Sequence, residues 1–244
     1  MIGIISAMQE EIQALLNELK NVTTTEKGMR TYYEGSLFNK KVVLVFSRWG
    51  KVASAATTTQ LINDFNVEEI IFTGVAGAIN PKLNIGDIVI GKNLYQHDMD
   101  ASPLFEKFEI PIIKKKYLTT KDSTNLVEAT RLFIKTYNTF INPKESKSFD
   151  ITNPKVIYGD ITSGDQFISS LKKIESLNKD LPTAMCVEME GASVAQVCFE
   201  YNVPFSIIRI ISDKANDNAT IDFPKFANAI ASNYALGILK NYFA

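Results

Sequence analysis

The chain is poor in residues that build covalent or metal staples. It has two cysteines, Cys186 and Cys198, and one histidine, His97, in 244 residues. Both cysteines sit in apolar surroundings, where buried free thiols are expected, and no Cys/His spacing suits a metal. No metal site and no cofactor are expected. No run approaches eighteen apolar residues, so nothing reads as a membrane span. The start lacks the basic stretch, apolar run and small-residue cleavage site of a secretory signal. From these absences a cytoplasmic protein is expected. Lys and Arg number 26 against 27 Asp and Glu, a net charge of −1, and no basic stripe speaks for a nucleic-acid partner. The one basic run, Lys114-Lys115-Lys116, reads as a solvated loop or strand edge. No Pro/Ser-rich tract, low-complexity run or repeat marks a linker, and neither glycine fingerprint of nucleotide binding occurs.

What is present is an ordinary globular composition, 45% hydrophobic and 22% charged. At this length folding buries roughly 70–75% of the unfolded surface, enough for a core without staples. Apolar runs read as strands at Ile2–Ser6, Val42–Phe46, Glu69–Thr73, Ile88–Ile90, Lys155–Ile161, Ala184–Val187 and Phe205–Ile211. Helices are expected at about 12–19, 52–65, 123–137, 170–177, 192–201 and 223–242. Residues 98–118 are irregular, with Pro103 and Pro111. Strands alternate with helices, which predicts a three-layer α/β/α sandwich around a mostly parallel or mixed sheet.

Three acids stand out against this pattern. Glu11 lies three residues after Met8 and four before Leu15, on the apolar face of its helix, whereas Glu10 falls on the wet face. Glu190 follows the strand 184–187 and lies four residues before Val194, on the face expected to carry Val197, Cys198 and Tyr201. Asp213 closes the strand 205–211. Each follows the C-terminal end of a strand, the edge where open α/β sheets bind ligands. An inward carboxylate is costly unless something uses it, and a vicinal diol, which donates two hydrogen bonds, is a natural user of Glu190. Each acid alone has a plainer explanation: Glu11 as a helix N-terminal acid, Asp213 as a cap, Glu188 as a paired structural carboxylate. Their convergence weakens those explanations. Gly74-Val75-Ala76-Gly77 reads as a tight turn rather than a ligand-binding loop, and His97-Asp98-Met99-Asp100 as a structural loop rather than a metal site.

Taken together, several segments resemble one family. They are residues 2–11 (IGIISAMQEE), 74–77 (GVAG), 86–89 (GDIV), 163–168 (SGDQFI), 187–190 (VEME) and 209–213 (RIISD). In this order they resemble the bacterial 5′-methylthioadenosine/S-adenosylhomocysteine nucleosidases of the purine nucleoside phosphorylase/uridine phosphorylase superfamily. The resemblance implies one nucleoside phosphorylase-like catalytic domain over 1–244, a homodimer and a place in methionine salvage. It implies that Glu11 activates the attacking water and that Asp213 protonates adenine N7. Glu190 would hold the ribose diol, with Met189 packed on the sugar and Gly77 lining its side. Phe167 would stack on the purine, and Ile168 with Ser212 would read its edge. Met8 would complete the pocket. Substrates would be adenosine thioether nucleosides. Trp49 and Val75 stand where relatives often carry a smaller aliphatic residue and Ser.

N-glycosidic cleavage passes through an oxocarbenium-like sugar. Asp213 must then be protonated at work, a rise of roughly three pKa units, about 4 kcal/mol. Glu11 must stay ionised, and Glu190, also ionised, would stabilise the cationic sugar. Three rivals remain: a nucleoside phosphorylase, a futalosine-type nucleoside hydrolase, and a non-catalytic nucleoside-binding or storage protein. A phosphorylase needs cationic donors that residues 6–11 do not offer, and a storage protein leaves the acid set without a purpose.

Overall fold

The computed structural model describes residues 1–216 and 219–244, with Ile221 described by its backbone only. The first strand, β1 (Ile2–Ser6), is followed by a 3-10 turn (Gln9–Glu11) and α1 (Gln13–Glu18). Next come β2 (Lys20–Lys27), β3 (Arg30–Leu37), β4 (Lys40–Phe46), α2 (Lys51–Phe65), β5 (Glu69–Ala78) and β6 (Ile88–Gln96). After the irregular stretch lie β7 (Tyr117–Thr119), α3 (Thr124–Thr136), α4 (Pro143–Ser148), β8 (Val156–Ser163), α5 (Leu171–Asp180), β9 (Ala184–Glu188), α6 (Gly191–Glu200) and β10 (Phe205–Asp213). The chain ends in α7 (Ala219–Phe226), a π turn (Ala227–Ala231) and α8 (Ser232–Tyr242).

The ten strands form one mixed sheet with helices on both faces, as the alternation predicts. β1 pairs in parallel with β4 and β5, and β5 in parallel with β10. β10 also pairs antiparallel with β6, β6 and β8 are parallel, β8 and β9 are parallel, and β9 returns antiparallel to β5. Strands β5, β10, β6, β8 and β9 therefore close into a ring, with β1, β4, β3 and β2 extending from it. One hydrophobic cluster packs Ile4, Leu44, Ile71 and Ile208 against Leu15, Phe133 and Tyr234. The other packs Ile5, Val43, Phe72 and Ile207 against Leu61, Val194 and Cys198. Alternate residues of the same strands serve the two sides, which is the period-2 pattern of a sheet covered on both faces.

Several boundaries differ from those expected. Residues 74–78 are strand, because β10 and β9 pair with them on either side. The hairpin β2–β3 has no counterpart in the sequence reading. Its first strand is almost wholly exposed, so it shows no apolar alternation, and Gly28 and Met29 (φ 54° and 60°) form its two-residue turn. The C-terminal helix begins at Ala219, four residues early, and is interrupted by a π turn just after Pro224. Pro224 has no N–H to continue the helical ladder. Tyr201 lies past the end of α6 and is exposed, while Val194, Val197 and Cys198 are buried as expected.

Candidate active site

Glu11 reaches inward from the 3-10 turn that follows β1. Its Oε2 accepts from the Ser6 hydroxyl and from the amides of Ala7 and Met8, both at 3.1 Å. Its Oε1 accepts from the Val75 amide of β5 at 2.9 Å. A Cβ at Gly74 would lie 2.9 Å from Glu11 Oε1, so this close approach requires glycine. Burial pushes the Glu11 pKa up, and the Ser6 hydroxyl, the Arg209 charge and the backbone amides pull it back. Four donors to one carboxylate suit the anion.

Asp213 ends β10 beside a bulge in its pairing with β5. Ser212 Oγ donates to Oδ2 at 2.8 Å and the Ala215 amide to Oδ1 at 2.7 Å. Ala215 is left-handed (φ 52°), which folds the chain back over the carboxylate. A Cβ at Gly77 would come within 2.9 Å of both Asp213 Oδ1 and the Ala215 Cβ. Burial raises the Asp213 pKa against those two donors, the direction a general acid needs.

Glu188 and Glu190 divide the work at the start of α6. Glu188 accepts from the amides of Glu190 at 3.1 Å and Gly191 at 2.8 Å, from the Ser163 hydroxyl, and from Arg209 Nε and Nη2 at 3.1 and 2.5 Å. It is the paired structural carboxylate. Glu190 turns the other way, and its Oε1 accepts from the Gly50 amide at 2.8 Å. Burial first, and the neighbouring Glu188 second, push its pKa up to about 8. That upward direction runs against the ionised form expected from the sequence. Arg209, fully buried, lies over the Phe72 ring at 4.1 Å and beneath the acids.

One cleft gathers every site residue named from sequence. Glu11, Asp213 and Glu190 are only 2%, 3% and 5% exposed and form its floor. Met8, Gly77, Met189 and Ser212 line its sides, and Phe167 and Ile168 come from the loop after β8. The acids do not share one parallel edge, as the sequence suggested. β9 runs antiparallel to β5, so Glu190 arrives from the opposite direction, and ring closure brings it to Glu11 and Asp213.

Three contributors escaped the sequence reading. Phe223 of α7 stands over the mouth, edge-on to Trp49 and Phe167 with ring centroids 6.3 and 5.9 Å apart. Its signal was hidden in what reads as ordinary helix core. Gly50 (φ 93°) holds Glu190, and a lone glycine between a strand and a helix is the signal that marks it. Arg209 is one charge in an isoleucine-rich strand, and such a residue demands a buried partner. Asp98, next to the histidine, pairs with Lys51 at 2.6 Å. Among the described residues, no group of three His, Cys, Asp or Glu side chains is placed to hold a metal ion.

The phosphorylase superfamily model matches residues 1–244. The chain belongs to the phosphorylase superfamily. Within this superfamily it is 37% identical to a 5′-methylthioadenosine/S-adenosylhomocysteine nucleosidase of Staphylococcus aureus, over 95% of this chain and 94% of that protein. Among solved phosphorylase-superfamily structures, it is similar to the nucleosidase of Colwellia psychrerythraea in complex with adenine. That likeness has a TM-score of 0.87 at 30% identity, over 99% of this chain and 93% of the other. It is also similar to the futalosine hydrolase of Helicobacter pylori, with a TM-score of 0.81 at 33% identity over 99% and 96% of the two chains.

Proposed function

We propose that this phosphorylase-superfamily protein hydrolyses the N-glycosidic bond of 5′-methylthioadenosine and S-adenosylhomocysteine, releasing adenine and the free thioribose derivative. The observation that carries the reading is the trio of buried carboxylates on one cleft floor, in a chain 37% identical to such a nucleosidase. Asp213 is assigned as the acid that protonates adenine N7. Its raised pKa supports a proton kept for the leaving base. Glu11, hydrogen-bonded as an anion yet raised by burial, is assigned as the base that orients and activates water. Glu190 is assigned to the ribose diol. Two hydrogen bonds donated by the diol would favour its ionised form, against the burial that raises its pKa. Phe167 would stack on the purine, with Ile168 and Ser212 at its edge, and Met8, Met189 and Gly77 around the sugar.

Hydrolysis is favoured over phosphorolysis by Glu11. A carboxylate about 4 Å from a phosphate charge costs about 4 kcal/mol at an effective dielectric of 20. Arg209, whose charge reaches Glu11, is committed to Glu188. The protein should act in the cytosol, in methionine salvage, as a homodimer and as one catalytic unit over 1–244. The two free buried thiols suit a reducing compartment. Leu104 and Ile112, 83% and 94% exposed on the irregular 98–118 stretch, support a partner surface.

The test is incubation with 5′-methylthioadenosine in phosphate-free buffer. Free adenine and methylthioribose are expected, at a rate unchanged by added phosphate. A sugar 1-phosphate would assign a phosphorylase instead, and binding without turnover a storage protein. The Helicobacter pylori neighbour makes a futalosine-type nucleoside the natural competing substrate. Faster release from it would move the reading to that substrate class.

A further inference from the structure

Two walls of the cleft come from distant parts of the chain. One is residues 47–51, which carry Trp49 at the lip and the Gly50 amide that holds Glu190. The other is residues 164–168, which carry Gln166, Phe167 and Ile168. Outside the cleft, three charged residues join them in a closed ring. The Lys51 amide donates to Asp165 Oδ1 at 2.8 Å. Lys51 Nζ donates to Asp98 Oδ1 at 2.6 Å, and the Asp165 amide donates to Asp98 Oδ2 at 2.9 Å. One carboxylate thus bridges a side chain of the first wall and a backbone amide of the second.

The ring is built into the fold. The Lys51 and Asp98 side chains are only 18% and 16% exposed, so water screens this pair less than an open surface pair. Lys51 Nζ also donates to Gln96 Oε1 at 3.2 Å, and Gln96 Nε2 donates to Gln196 Oε1 of α6 at 2.6 Å. Burial alone would raise the Asp98 pKa, but the Lys51 ammonium and the Asp165 amide overcome it and hold the group below the ordinary carboxylate range. The walls are pressed together to the limit of a hydrogen atom. A Cβ at Gly50 would lie 2.9 Å from Asp165 Oδ1, and a Cβ at Gly164 would run into the His97 ring beside Asp98.

We propose that Asp98 is a positioning residue for the cleavage reaction: through Lys51 and Asp165 it latches the wall carrying Trp49 and Gly50 to the wall carrying Phe167 and Ile168, and so sets the gap that admits the nucleoside. Asp98 touches no reacting atom. Glu11 takes its hydrogen bonds from Ser6, Ala7, Met8 and Val75, and Asp213 from Ser212 and Ala215, none of them part of the latch. Opening it therefore weakens capture of the nucleoside and spares the chemical step. The inference rests on the nucleosidase reading for its substrate.

The test compares Asp98→Ala, Asp98→Asn, Lys51→Met, Lys51→Arg and the double variant Asp98→Ala/Lys51→Met, each checked for folding by thermal melting. Asp98→Ala and Lys51→Met are expected to raise KM for 5′-methylthioadenosine and the Kd for adenine about tenfold, with kcat held within about threefold. The double variant should be no worse than either single one, because both remove the same link. Lys51→Arg should retain most of the affinity, and Asp98→Asn, which keeps the shape without the charge, should fall between. Trp49 is the chain's only tryptophan, so acrylamide quenching of its emission reports on the first wall without any substrate. Quenching should rise in Asp98→Ala and Lys51→Met and not in Lys51→Arg. Unchanged KM and Kd in folded Asp98→Ala, Asp98→Asn and Lys51→Met would overturn the latch. So would a loss confined to kcat, or additive effects in the double variant. If the wild type releases no adenine, the nucleosidase reading is what fails. Quenching then decides the latch alone, and equal quenching in all variants rejects it.

Discussion

A single buried acid is a liability unless its proton is managed, and the cleft manages three in different ways. Asp213→Asn is close to isosteric yet has no proton to give to a leaving base. Adenine release should fall at least about a hundredfold with the melting temperature nearly unchanged. Steady-state turnover and a thermal melt check this, and a variant keeping more than a tenth of kcat would remove Asp213 from the acid role. Glu190 gives a prediction of opposite kind, in stability. Its folded pKa is pushed up from 4.5 to about 8. A raised carboxyl adds stability fully present below its unfolded pKa, and that stability drains away as pH rises through about 8. The unliganded protein should lose up to a few kcal/mol between about pH 5 and pH 8.5, and Glu190→Gln should flatten that slope. Glu11 and Asp213 shift in the same direction, so some slope should persist. Urea melts across the pH range measure it, and an identical slope in the variant would contradict the assignment. The inward acids were legible because their spacing to Leu15 and Val194 put them on the core side, although Glu11 lies on the 3-10 turn and Glu190 at the N-cap, just outside the helices. Their protonation was not legible, since it depends on burial and on Glu188 and Arg209, which meet only in the fold.

Among the elements, β5 does the most for the site. Its second half was legible only as a small-residue turn, because nothing local distinguishes Gly74-Val75-Ala76-Gly77-Ala78 from a loop. Strand character there comes from β10 and β9, neighbours more than a hundred residues away in sequence. The small residues are used. Gly74 leaves room for the Glu11 carboxylate and Gly77 for Asp213. Gly74→Ala should therefore displace Glu11 by a few tenths of an ångström or more and reduce kcat about tenfold to a hundredfold without unfolding the protein. Turnover of a variant whose circular dichroism matches wild type tests this, and full activity would show that Glu11 tolerates the shift. By contrast β1, β4 and β10 announced themselves by their apolar stretches, interrupted in β10 by Ser206 and Arg209, since those stretches are buried on both faces. The hairpin β2–β3 was silent because its first strand is held by backbone pairing and buries almost no side chain.

At the scale of the whole molecule, the proposed dimer would cover Leu104 and Ile112, which are 83% and 94% exposed. Ile112→Asp should shift the protein from a species of twice the chain mass toward monomer at micromolar concentration, as read by sedimentation velocity. A wild type already monomeric there would refute the dimer. Closure of the sheet, which the strand inventory alone did not reveal, is what separates this molecule from an open doubly wound sheet. The ring also divides labour between rigid and adaptable parts. The buried carboxylates Glu11, Glu190 and Asp213 sit at strand ends and helix starts, while Trp49 and Phe167, 59% and 42% exposed, sit on connections at the rim. On the proposed assignment, substrate scope and bond-breaking power would be separable traits in this scaffold. A designer can exchange the rim residues to admit a bulkier or smaller nucleoside and leave the reaction centre as it is.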